Sequence, residues 1–197
     1  MKSFLPQEFE DLITTDGTLR YFEHYSDESL EDVMRGLVWR KDFITMYGKT
    51  HPLPRQTAWH GEKGLVHSYS GIHMVAEEWT PTLYQLKTKL EADLNTKFNS
   101  VLANYYRDGN DHMSYHADDE KELGPNPIIA SLSFGETRSF QLKHKFDKSI
   151  KTFTLPITNG SLVVMKDELQ HFWLHKIAKT TKPVGARLNL TFRYIHH

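Results

Sequence analysis

The sequence predicts a β-sandwich or barrel with helices packed on one side. Three observations lead there. From about residue 100 the chain breaks into short runs of strand-forming residues. The breaks carry Gly109, Gly124, Pro125, Gly135, Gly160 and Pro183. Ahead of these runs lie two segments whose apolar residues recur at helical spacing. No repeat, low-complexity segment or linker divides the 197 residues, so they are expected to form one domain, with its helices in about 1–99 and its β core in about 100–197.

The first helix is predicted from Ser26-Asp-Glu-Ser-Leu-Glu-Asp-Val-Met, where a cap residue and early acids precede Leu30, Val33 and Met34. In the second, Thr80 caps and Pro81 takes the first helical position, with Leu83, Leu86, Leu90 and Leu94 on one stripe. Strands are predicted at 101–106, 128–134, 138–144, 151–155, 161–165, 172–177 and 187–195. The last alternates without interruption. Leu188, Leu190 and Phe192 face one layer, and Arg187, Asn189, Thr191 and Arg193 the other. Such a polar face is either solvated or lines a polar pocket.

Composition narrows the chemistry. The absence of cysteine excludes disulfides and thiolate metal sites, leaving His and carboxylates as the strong ligands. No apolar run reaches the roughly 20 residues of a membrane-spanning helix. The N-terminus lacks the features of a signal peptide, so an intracellular location is expected: cytoplasmic in a bacterium, nuclear in a eukaryote. The net charge is −1, yet residues 1–34 hold nine acids against Lys2 and Arg20, which leaves the rest of the chain net basic. Beyond Glu168 there is no acid at all. A basic main body suits a polyanionic partner, although solvated faces explain the same charges.

The sharpest local feature is Tyr115-His-Ala-Asp-Asp-Glu120. His116 and Asp118, two apart at a strand end, project the same way and offer two of three ligands to a divalent metal. Non-haem iron(II) oxygenases use two His and one carboxylate on one face of an octahedron, leaving positions open. A bare His-x-acid is weak evidence, since His60-Gly-Glu62 has the same pattern. Downstream come His171 and His175, then Arg187 and Arg193 on one strand face. A dicarboxylate co-substrate needs a fixed cation for its distal end, and the planar fork of Arg matches a carboxylate with two hydrogen bonds.

These residues resemble a known family. The segment Asn104-Tyr-Tyr-Arg-Asp-Gly-Asn-Asp-His-Met-Ser-Tyr-His-Ala-Asp-Asp-Glu is similar to the N-x-Y-x-D-G…H-x-D-D/E stretch of the AlkB dealkylating dioxygenases. Ile129-Ala-Ser-Leu-Ser-Phe-Gly and Arg187-Leu-Asn-Leu-Thr-Phe-Arg resemble two further signatures, and the likeness runs from about Tyr47 to Ile195. It implies a double-stranded β-helix, or jelly roll. It also implies iron(II) on His116, Asp118 and His175, and 2-oxoglutarate on Asn104, Tyr106, Arg187, Thr191 and Arg193, with dioxygen as the oxidant. His175 is preferred to His171 because Phe172-Trp173-Leu174 occupies the place where the family's aromatic pair precedes its histidine.

The same resemblance implies a nucleic acid partner, double-stranded DNA with an alkylated base flipped into the site; the enzyme is expected to act as a monomer. His67-Ser68-Tyr69 is similar to the segment that lines the base pocket, with Tyr69 stacking on the base opposite His116. Asp119 and Glu120 would contact the base or favour its positive charge. Tyr47-Gly48-Lys49 resembles the finger that fills the gap left in the stack, with Arg55 binding backbone. Apart from the resemblance, Arg138, Lys143, Lys145, Lys148 and Lys151 on a predicted hairpin suit phosphate contact or simply a solvated hairpin. The expected reaction is removal of N-alkyl groups of the 1-methyladenine and 3-methylcytosine type from DNA. The alternatives are the same oxygenase chemistry on RNA or protein, or a silent jelly roll that only binds nucleic acid.

Overall fold

The computed structural model of the protein describes residues 9–46, 49–69 and 72–196. The first half supplies β1 (Glu10–Ile13), β2 (Thr18–Phe22), α1 (Leu30–Met34), β3 (Phe43–Met46), β4 (Lys49–Pro52), β5 (Gln56–Gly61), β6 (Val66–Tyr69), β7 (Ile72–Val75) and α2 (Pro81–Leu94). The second half supplies β8 (Ser100–Tyr106), β9 (Met113–His116), β10 (Ile129–Gly135), β11 (Arg138–His144), β12 (Phe153–Ile157), β13 (Leu162–Lys166), α3 (Leu169–Phe172), β14 (Trp173–Ile177) and β15 (Arg187–Arg193).

Strands β8 to β15 form the expected double-stranded β-helix. Four of them lie in the order β13-β10-β15-β8 in one sheet, and four in the order β12-β11-β14-β9 in the other. All pairings are antiparallel. The first sheet is then widened at both edges. β5 joins beside β8, and the β1–β2 hairpin joins beside β13, giving seven strands. Two further hairpins, β3–β4 and β6–β7, stand apart from both sheets.

The widening adds strands to the region of about 1–99, where the helices and, by the resemblance, a nucleotide-recognition segment are expected. Within the acidic N-terminal segment residues 10–22 form a β-hairpin, in which Asp11 holds Arg20 through two contacts of 2.6 and 2.9 Å. Its turn carries Asp16 at φ +53° and Gly17 at φ +118°. A Cβ on Gly17 would lie 2.2 Å from the backbone nitrogen of Leu169, so the turn and α3 pack backbone against backbone there. Helix α1 is also shorter than predicted. Its cap is Ser29, whose hydroxyl accepts the Asp32 N–H at 3.1 Å.

Helix α2 forms as its sequence dictates. Thr80 Oγ1 accepts the Leu83 N–H at 3.2 Å, Pro81 opens the helix, and Asn95 ends it at φ +48°. Its stripe of Leu83, Leu86 and Leu90 is buried against one face of the seven-stranded sheet, together with Val101, Ala103, Leu188, Leu190 and Phe192. Each such leucine contributes roughly 1.5–3 kcal/mol, an upper range because the unfolded chain already hides some apolar surface. A second core, built on Ile129, Phe140, Leu142, Ile157, Val163, Met165 and Ile177, fills part of the space between the two sheets. The rest of that space is a cavity.

Candidate active site

Strand β15 sets the floor of the cavity. Because it alternates, packing Leu188, Leu190 and Phe192 beneath α2 forces Arg187, Asn189, Thr191 and Arg193 into the space between the sheets. Strand β8 does the same, with Val101 and Ala103 on the helix side and Leu102, Asn104 and Tyr106 on the cavity side. The pocket holds ≈ 590 Å³ of atom-free space, its open mouth included.

The opposite wall carries the histidines. β9 pairs with β14 through His116↔His175 and Met113↔Ile177, so Ser114 and Tyr115 together stand opposite Lys176. This one-residue bulge lets Met113 and His116, three apart, both line the cavity. Strand β9 lies outside the predicted strands apart from the strand end assigned to His116, since Met-Ser-Tyr-His is a run of only four residues.

Candidate ligand atoms of His116, Asp118 and His175 lie within 4.8 Å of one another. Nε2 of each histidine is 3.9 Å from an Asp118 oxygen, a different one in each case. The ring of His116 donates from Nδ1 to the Ser114 carbonyl at 2.9 Å, which leaves Nε2 with its lone pair facing the cluster. Asp118 is fixed by Arg193 Nη2, donating to Oδ1 at 2.7 Å, and by its own N–H, which donates to Gln170 Oε1 at 2.9 Å. Burial alone would raise the Asp118 carboxyl. Arg193, His175 and His116 outweigh it and hold the group at about 2. Burial drives His175 down to about 3, aided by the neighbouring His116, and burial also lowers His116. Near neutral pH the cluster therefore offers one carboxylate and two neutral imidazoles, the protonation states that a divalent metal requires.

At the cavity floor Arg187 is 1% exposed. Nη2 donates to Ser133 Oγ at 2.9 Å and the guanidinium lies 5.2 Å from the Tyr106 ring centroid, but Nε and Nη1 have no partner. Burial pulls its pKa down to about 10. A buried cation with two idle donors is expensive unless an anion meets it, and a carboxylate is an acceptor suited to such a donor. The adjacent Asn189 donates to Ser131 Oγ and to the Leu132 carbonyl, and accepts from Thr191 Oγ1. The donor set thus suits a divalent metal at one end and a carboxylate at the other.

All eight residues expected to hold metal and co-substrate line this one cavity. His171 does not: it is on the surface, bonded to the Pro125 carbonyl and Asn126. Arg55 departs from the expectation of a backbone contact. It is 4% exposed, and its Nε donates to Asn104 Oδ1 at 2.7 Å. Arg138 is likewise no surface cation, because it bonds the carbonyls of Asp108, Asp111 and Ala178. Asp119 is exposed and pairs with Lys145 at 3.3 Å. Glu120 is half-buried with Oε2 unpartnered, and burial, with Asp118 nearby, raises its pKa. Tyr47 and Gly48 lie outside the described residues, as do the side chains of Lys49, His67, Ser68 and Tyr69, whose backbones belong to β4 and β6. Gln170 and Asn189 support the site without having been singled out. Asn189 was visible as a member of the polar face of its strand, whereas no spacing marks Gln170.

A model of the 2OG-Fe(II) oxygenase superfamily matches residues 20–193. The chain belongs to that superfamily. Its relatives place it in the AlkB family. It is 36% identical over 179 residues to the mouse protein "Alpha-ketoglutarate-dependent dioxygenase alkB homolog 3", covering 87% of this chain and 62% of that one. It is 36% identical to the human "DNA oxidative demethylase ALKBH2", covering 77% of this chain and 60% of the relative, and 35% identical to the Arabidopsis thaliana protein of that name. The chain therefore spans about three-fifths of the length of these relatives. The solved structure of OsALKBH1 superposes with a TM-score of 0.65 at 15% identity, over 94% of this chain and 100% of the other, which establishes the shared fold. Iron(II), 2-oxoglutarate and dioxygen are the superfamily's cofactor and co-substrates, and the idle donors of Arg187 beside the His–Asp–His cluster fit them.

Proposed function

We propose that this AlkB-family chain removes alkyl groups from alkylated bases of the 1-methyladenine and 3-methylcytosine type in DNA by oxidising the alkyl carbon. The observation that carries the reading is the His116–Asp118–His175 cluster in one cavity with a buried, partly unpaired Arg187. Support for the substrate comes from the relatives named DNA oxidative demethylase.

His116, Asp118 and His175 would hold the iron, and Arg187 would take the distal carboxylate of 2-oxoglutarate, with Tyr106, Thr191, Asn104 and Arg193 as its further contacts. When bound, iron, 2-oxoglutarate and dioxygen convert a C–H bond to C–OH while the co-substrate becomes succinate and carbon dioxide. An N-hydroxymethyl group then leaves as formaldehyde, returning the proton to the base nitrogen. The chain's own contribution is placement and exclusion of water. The apolar wall of Phe140, Ile157, Val163 and Met165 keeps the inner cavity dry, and the fixed donors of β15 orient the carboxylate before reaction.

The substrate reading adds a flipped base stacked between Tyr69 and His116, a wedge at Tyr47 with Gly48 and Lys49, and a contact from Asp119 or Glu120. The unpartnered Glu120 oxygen makes that residue the better acceptor for an exocyclic amino group. Duplex DNA as substrate, action as a monomer and a nuclear or cytoplasmic site of action belong to the same reading.

The test is mass spectrometry of a 1-methyladenine oligonucleotide, single- and double-stranded, after incubation with enzyme, iron(II), ascorbate and 2-oxoglutarate. Loss of one methylene mass with wild type but not with His116→Ala is expected, faster on duplex. Succinate formation without any mass change would retain the oxygenase and reject the DNA substrate in favour of RNA or protein.

A further inference from the structure

The buried Arg55 is not used by the reading above. It follows Pro54, whose carbonyl accepts the His112 N–H at 3.0 Å, and it directly precedes β5, so its backbone is anchored to the loop leading into β9. Its side chain points inward, 4% exposed, and among the described residues it meets no carboxylate within ion-pair distance. Its Nε donates to the carboxamide oxygen of Asn104 at 2.7 Å. A buried cation resting on a neutral amide needs an explanation.

We infer that Arg55 is a positioning residue for the co-substrate, one that locks the Asn104 amide with its nitrogen toward the cavity. The inference rests on the proposal that Asn104 contacts 2-oxoglutarate. The physical argument is short. Guanidinium N–H groups only donate and are never deprotonated in practice, and an amide nitrogen has no lone pair to accept with. The Asn104 oxygen must therefore turn to Arg55. That leaves Nδ2, with two donors, directed to the cavity Asn104 lines. The flipped amide would present its oxygen to an anion and weaken binding. Neither β5 nor β8 otherwise dictates which way the amide turns, since the backbone register Thr57↔Asn104↔Asn189 is satisfied in both orientations. Arg55 thus acts on the co-substrate through Asn104.

The experiment titrates 2-oxoglutarate into manganese-loaded, iron-free protein by calorimetry, for wild type, Arg55→Met, Arg55→Lys, Asn104→Ala and the Arg55→Met/Asn104→Ala pair. Arg55→Met is expected to weaken binding by about 10-fold, Asn104→Ala by a similar factor, and the pair by no more than Asn104→Ala alone. Arg55→Lys, which keeps charge and a donor, should recover part of the loss and serves if Arg55→Met fails to fold. Unchanged affinity in a folded Arg55 variant, or strictly additive losses in the pair, would overturn the inference. A loss confined to oligonucleotide binding, with a shallower salt dependence, would instead make Arg55 a phosphate contact. If Asn104→Ala itself leaves 2-oxoglutarate binding intact, the co-substrate ligand set is what fails.

Discussion

At the scale of single residues the site is a balance of buried charges. Arg187 illustrates it, since two of its donors wait for a partner. Arg187→Met keeps the bulk and removes the charge, so the protein should fold while 2-oxoglutarate binding to the manganese form weakens by roughly 30-fold or more. Calorimetry beside circular dichroism checks both halves, and a folded variant with unaltered affinity would dismiss Arg187 as the anchor. The histidines set a pH dependence. His175 sits at about 3 in the folded chain against 6.5 when free. Below 6.5 the unfolded chain therefore takes up the proton first, and folding loses stability as pH falls from 6.5 towards 3. Asp118, held at about 2, contributes stability that is present above its free value of 3.8 and lost between there and 2. Urea melts of metal-free protein should show a midpoint that drops steadily below pH 6.5, and His175→Gln should flatten that slope. An equal slope in the variant would place the titration elsewhere.

Among the elements, legibility followed the strength of the local signal. The strands that alternate over five or more residues were readable, and β15 gave both its faces correctly because three apolar side chains fixed its register. Helix α2 was readable from cap to stripe. The hairpin β1–β2 was not: Asp16-Gly17 is a turn signal in its own right, but the strand before it, Glu10-Asp-Leu-Ile, does not alternate. Metal ligands and paired arginines were legible since their chemistry demands those residue types. The burial of Arg55 and Arg138 was not, because a cation's partners lie far away in sequence. The hairpin turn yields a prediction. Gly17→Ala puts a methyl against the Leu169 backbone at a positive φ and should cost about 1–3 kcal/mol or more, whereas loss of the cap in Thr80→Ala should cost about 1. Paired urea denaturation curves rank the two, and a milder Gly17→Ala would mean the turn relaxes away from α3.

For the whole molecule, one cavity joins the two sheets, so ligand binding and folding are linked. Manganese and 2-oxoglutarate, each near 100 times its dissociation constant, should each add about 2.7 kcal/mol, or roughly 5–10 °C in melting temperature. Differential scanning fluorimetry with and without a chelator measures it. A melting temperature indifferent to metal would contradict a metal centre at His116, Asp118 and His175. The two cores divide the labour. The one under α2 is sealed by leucines, while the one between the sheets is interrupted by polar groups that only a ligand completes.

The order of strands has a further consequence for the chain as it is made. Strand β15 follows β8 and β10 in the chain, yet it is threaded between them in the middle of its sheet. Until β15 is made and inserted, β10 and β8 present two bare strand edges, with a gap where the arginine floor belongs. Those edges invite pairing with other chains. The same insertion that buries Arg187 therefore makes the arrival of β15 the step at which this sheet is most open to mispairing.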